Sequence, residues 1–143
     1  MKIHLITIGK PKLKYAMQGW EEYVGRLQRM HEVRITQLND KYAYDAKKLA
    51  EAAQGTYIVA LAIDGSQFSS PQLANFLSER ELASREVSFV IGGPEGLPES
   101  FLQQANLRWS FSPLTFPHDL AMVVLLEALY RASSINARIP YHK

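Results

Sequence analysis

Two apolar periods take turns along this chain. Runs at 2–8, 33–38, 57–63, 87–91 and 107–111 are short, rich in branched and aromatic residues, and bounded by polar or glycine-containing stretches, which predicts five strands. Those at 57–63 and 87–91 carry few polar interruptions, as strands covered on both faces do. Between the runs the spacing changes to three and four. Residues 13–29 place Leu13, Met17, Trp20, Tyr23, Val24 and Leu27 near one helical face. A shorter, alanine-rich helix is predicted over 43–53. Ser69 or Ser70 caps a helix opening at Pro71, with Leu73, Phe76, Leu77 and Leu82 inward. A short helix opens at 98 and runs to about 105, and a last one runs from about 117 to 137.

Strands alternating with helices predict an α/β fold, a mostly parallel sheet of about five strands with helices on both faces. Ligands of such sheets bind beyond the carboxyl ends of the strands. That singles out the loops after Ile63, Ile91 and Phe111.

The length of 143 residues suits one domain, 1–143, and no repeat or Pro/Gly-rich linker divides it. The absence of cysteine excludes disulfides, thiol nucleophiles, iron–sulfur clusters and cysteine-ligated zinc, and agrees with a cytoplasmic location. His4, His31, His118 and His142 are too scattered for a local metal motif, so no metal is expected. The first apolar run is followed by Lys10, Lys12 and Lys14 without a cleavage signature, and reads as a strand rather than a signal peptide. Nothing approaches the roughly 20 apolar residues of a membrane span, so no membrane partner is expected. The net charge of +2 is unevenly spread: +4 over 1–30, −4 over 31–121 and +2 over 122–143. If the ends meet in the fold, one face is basic enough to attract a polyanion; chance clustering on a solvated surface is the alternative.

Four segments carry candidate chemistry. Ile91-Gly92-Gly93-Pro94-Glu95-Gly96-Leu97 follows a strand and leads to a helix. Its glycines let a flat ligand approach main-chain groups, or simply make a tight turn. It is neither a Walker A loop nor a dinucleotide fingerprint. Phe111-Ser112-Pro113-Leu114-Thr115-Phe116-Pro117-His118 is stiffened by two prolines, with Phe116 extended before Pro117, and suits main-chain recognition of an adenine edge or a plain connection. Leu120-Ala121-Met122-Val123-Val124-Leu125-Leu126 is apolar all round; a second subunit covers it, making a homodimer, or it is a central core helix. Glu127 and Arg131 are spaced to pair along that helix. The tail Ile139-Pro140-Tyr141-His142-Lys143 offers a ring to stack on a base, an imidazole with an ordinary pKa of about 6.5, and an ammonium for phosphate, unless it frays.

Together and in this order, these elements resemble the bacterial 23S ribosomal RNA pseudouridine N3-methyltransferases of the SPOUT class. The likeness rests on Met1-Lys2-Ile3 through Ile8-Gly9-Lys10, on 91–97, on Ser112 through His118, on Leu129-Tyr130-Arg131-Ala132 and on Pro140-Tyr141-His142-Lys143, and spans the chain. It implies a C-terminal trefoil knot, a homodimer and the cofactor S-adenosyl-L-methionine, held by Leu61, Gly92, Phe111, Ser112, Pro113, Leu114, Thr115 and Phe116. It further implies methylation of N3 of a pseudouridine in the 23S rRNA of the assembled ribosome. The tail, 138–143, of one subunit would reach the cofactor of the other. His142, Tyr141 and His118 are the implied catalytic residues, with His142 or His118 accepting the N3 proton and Tyr141 stacking on the base. Arg131, Arg138 and Lys143, with the N-terminal lysines, would meet RNA phosphates. Met122 departs from the arginine that relatives often carry there. A SPOUT enzyme for transfer RNA or protein, or a non-catalytic ribosome-binding module, are the alternatives.

Overall fold

The apolar alternation of the first run has two destinations. In the computed structural model, which describes residues 1–142, β1 (Lys2–Ile8) sends Ile3 and Leu5 to one face of a sheet and Ile6 and Ile8 to the other, and all four are buried. β4 (Val87–Ile91) divides in the same way, Val87, Phe89 and Ile91 on one side and Val90 on the other. With β2 (Glu32–Leu38), β3 (Tyr57–Ser66) and β5 (Leu107–Trp109) they form one sheet of order β2-β1-β4-β3-β5, parallel at every pairing. β4 holds the middle, between β1 and β3, and the two runs with few polar interruptions, β3 and β4, are both interior strands with a neighbour on each side.

Helices cover both faces. α1 (Lys14–Gln28), α3 (Ser70–Leu82) and α5 (His118–Asn136) close one core around Trp20, Leu77, Phe89 and Leu125. α2 (Ala46–Ala52) and α4 (Glu99–Leu102) close the other around Ile6, Leu49, Val90 and Phe101. α5 packs against both α1 and α3, so much of its apolar circumference is covered within the chain: Met122, Leu125, Leu126, Leu129 and Ala132 are buried. Gly19 is what lets α1 come so close, since a Cβ there would stand 3.0 Å from Val123 Cγ1. Met122 is a core side chain, so an arginine at this position would have to bury its charge or repack the helix pair.

Several boundaries differ from the sequence pattern. β3 does not stop at 63. It bulges after Leu61, which pairs with Trp109, and rejoins β5 at Ser66, which faces Trp109 again. Gly65 makes the return possible, because a Cβ there would lie 2.6 Å from the Arg108 carbonyl carbon. β5 ends at Trp109 rather than 111. α2 starts late: a 3-10 turn over Asp40–Tyr42 precedes it, and Asp45 caps it by accepting from the Lys48 N–H at 3.0 Å. α4 is a single turn. Leu13, Met17 and Leu82 face outward, being 55, 47 and 84% exposed, because Ala16, Trp20 and Leu27 set the inner face of α1 and Leu82 is the last residue of α3.

Two joints tie the ends of the chain together. Leu13 at the start of α1 has no local side-chain cap, and Asp119 supplies one from the first turn of α5. Its Oδ2 accepts from the N–H groups of Lys12 at 2.8 Å and Leu13 at 2.6 Å. At the other end His31 Nε2 meets Ser133 Oγ at 2.8 Å, and burial, followed by the nearby Met1 ammonium, pushes the imidazole from 6.5 down to about 4.

Replacing Asp119 with Ala leaves the Lys12 and Leu13 N–H groups, just ahead of α1, without their partner and is expected to destabilise the protein by about 1–3 kcal/mol, read as a shift of the urea midpoint at constant slope. The His31 joint has a pH signature. Between pH 6.5 and 4 the unfolded chain protonates this imidazole and the folded chain does not, so its contribution is complete above 6.5 and is lost as pH falls towards 4. Thermal melts over that window should therefore fall less steeply for His31→Gln than for the native chain. Parallel curves would show that His31 titrates alike in both states.

Candidate functional site

The bulge in β3, the end of β4 and the exit from β5 stand side by side at the carboxyl edge of the sheet. The chain leaving each of them encloses a cleft of about 580 Å³. This is the range of sites that bury most of a small ligand. Leu61, Ala62, Ile63 and Asp64 of the bulge form one wall, residues 91–97 a second, and Trp109 to Ser112 with Leu114 to Phe116 a third.

The glycine segment folds back on itself. Gly96 N–H donates to Gly93 O at 2.9 Å, with Gly96 at φ +83°. Gly92 is buried beneath this turn, and a Cβ on it would lie 2.6 Å from the Gly96 carbonyl carbon and 2.8 Å from the Leu97 nitrogen. No side chain fits. The segment is a tight turn and a wall of the cleft at once.

The proline-stiffened segment is held by its own serines. Ser110 Oγ donates to Ser112 O at 3.1 Å, and the Leu114 N–H donates to Ser112 Oγ at 3.0 Å. Rings run from the core into the cleft: Phe89, Trp109, Phe111 and Phe116 follow one another at centroid distances of 6.1, 5.0 and 6.3 Å. This anchors the apolar floor of the site to the packed sheet.

The ionisable side chains of the lining are Asp64, Glu95, Glu99 and His118. Arg108 bridges two of the acids, with Nη1 3.4 Å from Asp64 Oδ2 and Nη2 2.8 Å from Glu99 Oε1, and so clamps the bulge to α4. Tyr44 donates its hydroxyl to Glu95 Oε2 at 2.8 Å. His118 Nε2 lies 3.0 Å from the Ile8 carbonyl, which can only accept, so Nε2 carries a proton and Nδ1 is the ring's remaining acceptor when neutral. Among the described residues no group of histidines and carboxylates is placed to hold a metal ion, and no helix is long and apolar enough to cross a membrane.

Of the residues singled out for a cofactor, Leu61, Gly92, Phe111, Ser112, Leu114, Thr115 and Phe116 line this one cleft, while Pro113 is not in the lining. His118 joins them. Tyr141 and His142 do not. The last turn of α5 closes with Arg138 at φ +57°, its N–H on Ile135 O and the next N–H on Ser134 O, a Schellman turn with arginine where glycine is usual. The tail then folds back along α5. Tyr141 packs edge-on against Tyr130 at 4.7 Å, meets the Tyr23 hydroxyl at 2.9 Å and donates to Glu127 Oε1 at 3.1 Å. Burial and these partners push its hydroxyl well above the ordinary tyrosine value, so it keeps its proton near neutrality. Arg131 pairs with Glu127 at 2.6 Å, lies over the Tyr141 ring, and reaches His142 Nδ1 at 3.5 Å. Arg138 is exposed, and Lys143 lies outside the described residues. The tail's partners Glu127, Tyr130 and Arg131 run from the middle of α5 onward, whereas the cleft touches its first turn at His118 and Ala121, and neither Tyr141 nor His142 lines the cleft.

Sequence patterns missed the acidic rim. Glu95 lay within a quoted segment but had no role assigned, and Asp64 belongs to an Asp-Gly pair that marks a turn. Tyr44 gave no signal, because its partner Glu95 is 51 residues away.

Residues 1–142 match the family described as predicted SPOUT methyltransferases. The chain is 46% identical to the ribosomal RNA large subunit methyltransferase H of Deinococcus deserti, with both chains covered completely. It is 38% identical to the protein of that name from Clostridium novyi, again with both covered completely. Among solved structures, a probable methylase family protein from Haemophilus influenzae superposes with a TM-score of 0.59 at 12% identity, over 99% of this chain and 70% of that one. The tRNA (m1G37) methyltransferase of Aquifex aeolicus does so with a TM-score of 0.58 at 11% identity, over 91% and 69%; at such identities the likeness concerns the fold alone. A parallel five-stranded α/β domain with this agreement over its whole length belongs to the SPOUT methyltransferase family, alongside the ribosomal RNA large subunit methyltransferase H proteins.

Proposed function

We propose that this protein transfers a methyl group from S-adenosyl-L-methionine to N3 of a pseudouridine in the 23S rRNA of the assembled ribosome, in the bacterial cytoplasm. The observation that carries the reading is the cleft, whose three walls come from the three strand ends that the α/β pattern singles out, two of them bearing the family resemblance. Its chemistry fits the cofactor. Leu61, Leu97, Phe111 and Phe116 give an apolar bed for a flat base, with main chain of 92–97 and 111–116 alongside for its polar edge. Asp64, Glu95 and Glu99 provide the negative rim that a sulfonium and an ammonium require. When bound, the cofactor supplies a methyl group already activated on sulfur.

The chain's own residues have the remaining work of alignment, water exclusion and proton removal. The imide N3 must lose its proton to attack. Tyr141 holds its own proton and so serves to stack or donate, not to accept. His118 has one ring nitrogen committed to Ile8 O, which fixes the ring and leaves Nδ1. His142 makes only a long contact to Arg131 and is the freer acceptor. Since the tail does not line its own cleft, His142 acts in the cleft of a second copy. The homodimer follows from that requirement, and the exposed Leu13 and Met17 beside α5 supply apolar surface for it. The trefoil knot belongs to the same reading, in which 92–97 and 111–116 are drawn together around the cofactor. Arg131, Arg138 and Lys143 then face RNA phosphates, which makes binding fall steeply with salt.

The test is transfer of labelled methyl to large ribosomal subunits that lack the modification, with and without the target pseudouridine. Label confined to pseudouridine-containing 23S rRNA is the expected result; cofactor binding without transfer to ribosomes would move the substrate to transfer RNA or protein. His142→Ala should lower kcat by about 100-fold or more with cofactor Kd unchanged, as for loss of a general base. Gly92→Ala forces the turn at Gly96 open and should weaken cofactor binding at least tenfold, measured by calorimetry; an unchanged Kd would detach the glycine turn from the cofactor site.

A further inference from the structure

The cleft rim raises a difficulty that the rest of the surface answers. Asp64, Glu95 and Glu99 outnumber the one cation among them, Arg108, and leave the rim acidic, so an RNA strand is better drawn and held from elsewhere. Directly beside the glycine turn stands the segment leading from β2 to α2. A Cβ on Gly93 would touch Ala43 at 3.7 Å, and Tyr44 bonds Glu95. This segment meets the one that leaves β1: Gly9 N–H donates to Leu38 O at 2.6 Å, and Lys12 Nζ is 3.7 Å from Asp40 Oδ2. Residues 9–15 and 39–48 together hold six lysines, Lys10, Lys12, Lys14, Lys41, Lys47 and Lys48, against two aspartates. Both aspartates are engaged, Asp40 by Lys12 and Asp45 as the cap of α2. Among the described residues Lys10, Lys14 and Lys47 have no ion-pair partner.

Within this basic surface Tyr44 is anomalous. Its ring is 54% exposed, yet it is not loose, because its hydroxyl is anchored on Glu95 in the wall of the cleft. Two of the lysines, Lys41 and Lys48, lie over the ring of the nearby Tyr42 at 5.1 and 4.9 Å. A fixed, exposed ring on a surface that also carries cations is the arrangement that binds single-stranded nucleic acid, the ring taking a base face and the lysines the backbone. We propose that Tyr44 and the lysines of 10–14 and 41–48 form a stacking platform for a nucleotide neighbouring the target in a single-stranded RNA segment, so that the target base alone enters the acidic cleft. The proposal rests on the methyltransferase reading above and adds the residues that set the strand's path. The Glu95 bond has a second consequence: it couples the platform to the glycine turn, so that the ring stands at a fixed offset from the cofactor.

The platform predicts a KM effect without a cofactor effect. With large ribosomal subunits lacking the modification as substrate, Tyr44→Ala should raise KM for subunits about tenfold, leaving the Kd for S-adenosyl-L-methionine and the melting temperature unchanged. Tyr44→Phe keeps the ring but loses its anchor on Glu95 and should recover part of the loss. Lys41→Glu with Lys47→Glu should raise KM further and flatten its salt dependence. An unchanged KM in Tyr44→Ala overturns the platform while native transfer upholds the parent reading. A KM rise matched by an equal loss of cofactor affinity also overturns it, by making Tyr44 a prop for the glycine turn. Absence of transfer by the native protein overturns both.

Discussion

The first turn of α5 is where this fold is fastened. Asp119 places one carboxylate oxygen on two main-chain donors that lie more than a hundred residues earlier, and His118 donates to the carbonyl that ends β1. Bonds to an ionised, largely buried acceptor are stronger than ordinary ones, and losing one partner leaves the others desolvated and unmatched. The consequence reaches beyond α1. The segment 111–116 runs into α5 through Pro117, so the fastening also fixes where the third wall of the cleft descends over β3 and β5. From the same anchor α5 runs against both α1 and α3 to the turn that starts the tail.

Much of this was legible in the chain. The alternation of Ile3, Leu5, Ile6 and Ile8 and the unbroken run at 87–91 announce buried parallel strands, and the Ser69 cap ahead of Pro71 is a local device that local sequence can show; here it is a full capping box with Gln72. The loops at 92–97 and 111–116 could be picked out because strand-to-helix connections face one edge of a parallel sheet. What local spacing could not show is whatever depends on partners far along the chain. Leu13 and Met17 have the spacing of an inner face, yet the helix is turned by Trp20 and by Val123 pressing on Gly19. The bulge of β3 exists because β5 pairs at Leu61 and again at Ser66, and nothing in 57–66 alone specifies two meetings with Trp109. The partners of Asp119 are backbone groups that no side-chain pattern records.

The tail illustrates the difference between a motif and its place. Tyr141 and His142 are conspicuous as residue types, and the chain does hold Tyr141 firmly, but among Tyr23, Tyr130, Glu127 and Arg131 rather than at the cleft. A terminal segment that is anchored instead of frayed, and turned by a left-handed arginine, is shaped by the chain at a cost, since the left-handed region disfavours any residue but glycine by roughly 1–2 kcal/mol. Such a tail is a built part. In the proposed dimer a second copy brings its own cleft to it.

The electrostatic layout then follows from an opposition between the two reactants. A sulfonium cofactor is cationic and an RNA strand is anionic, and one surface cannot attract both. Asp64, Glu95 and Glu99 make the cleft a place where phosphate is repelled, while the lysines of 10–14 and 41–48 stand just outside it. A uniformly basic site would hold the backbone over the methyl donor and leave the base outside. On the proposed reading the charges are divided, the backbone held on the lysines, and the part of the strand that can cross the acidic rim without penalty is an uncharged base. On the proposed reading the acids serve the cofactor by attraction and the substrate by exclusion, and the bonds that Arg108 makes to Asp64 and Glu99 keep that rim in place.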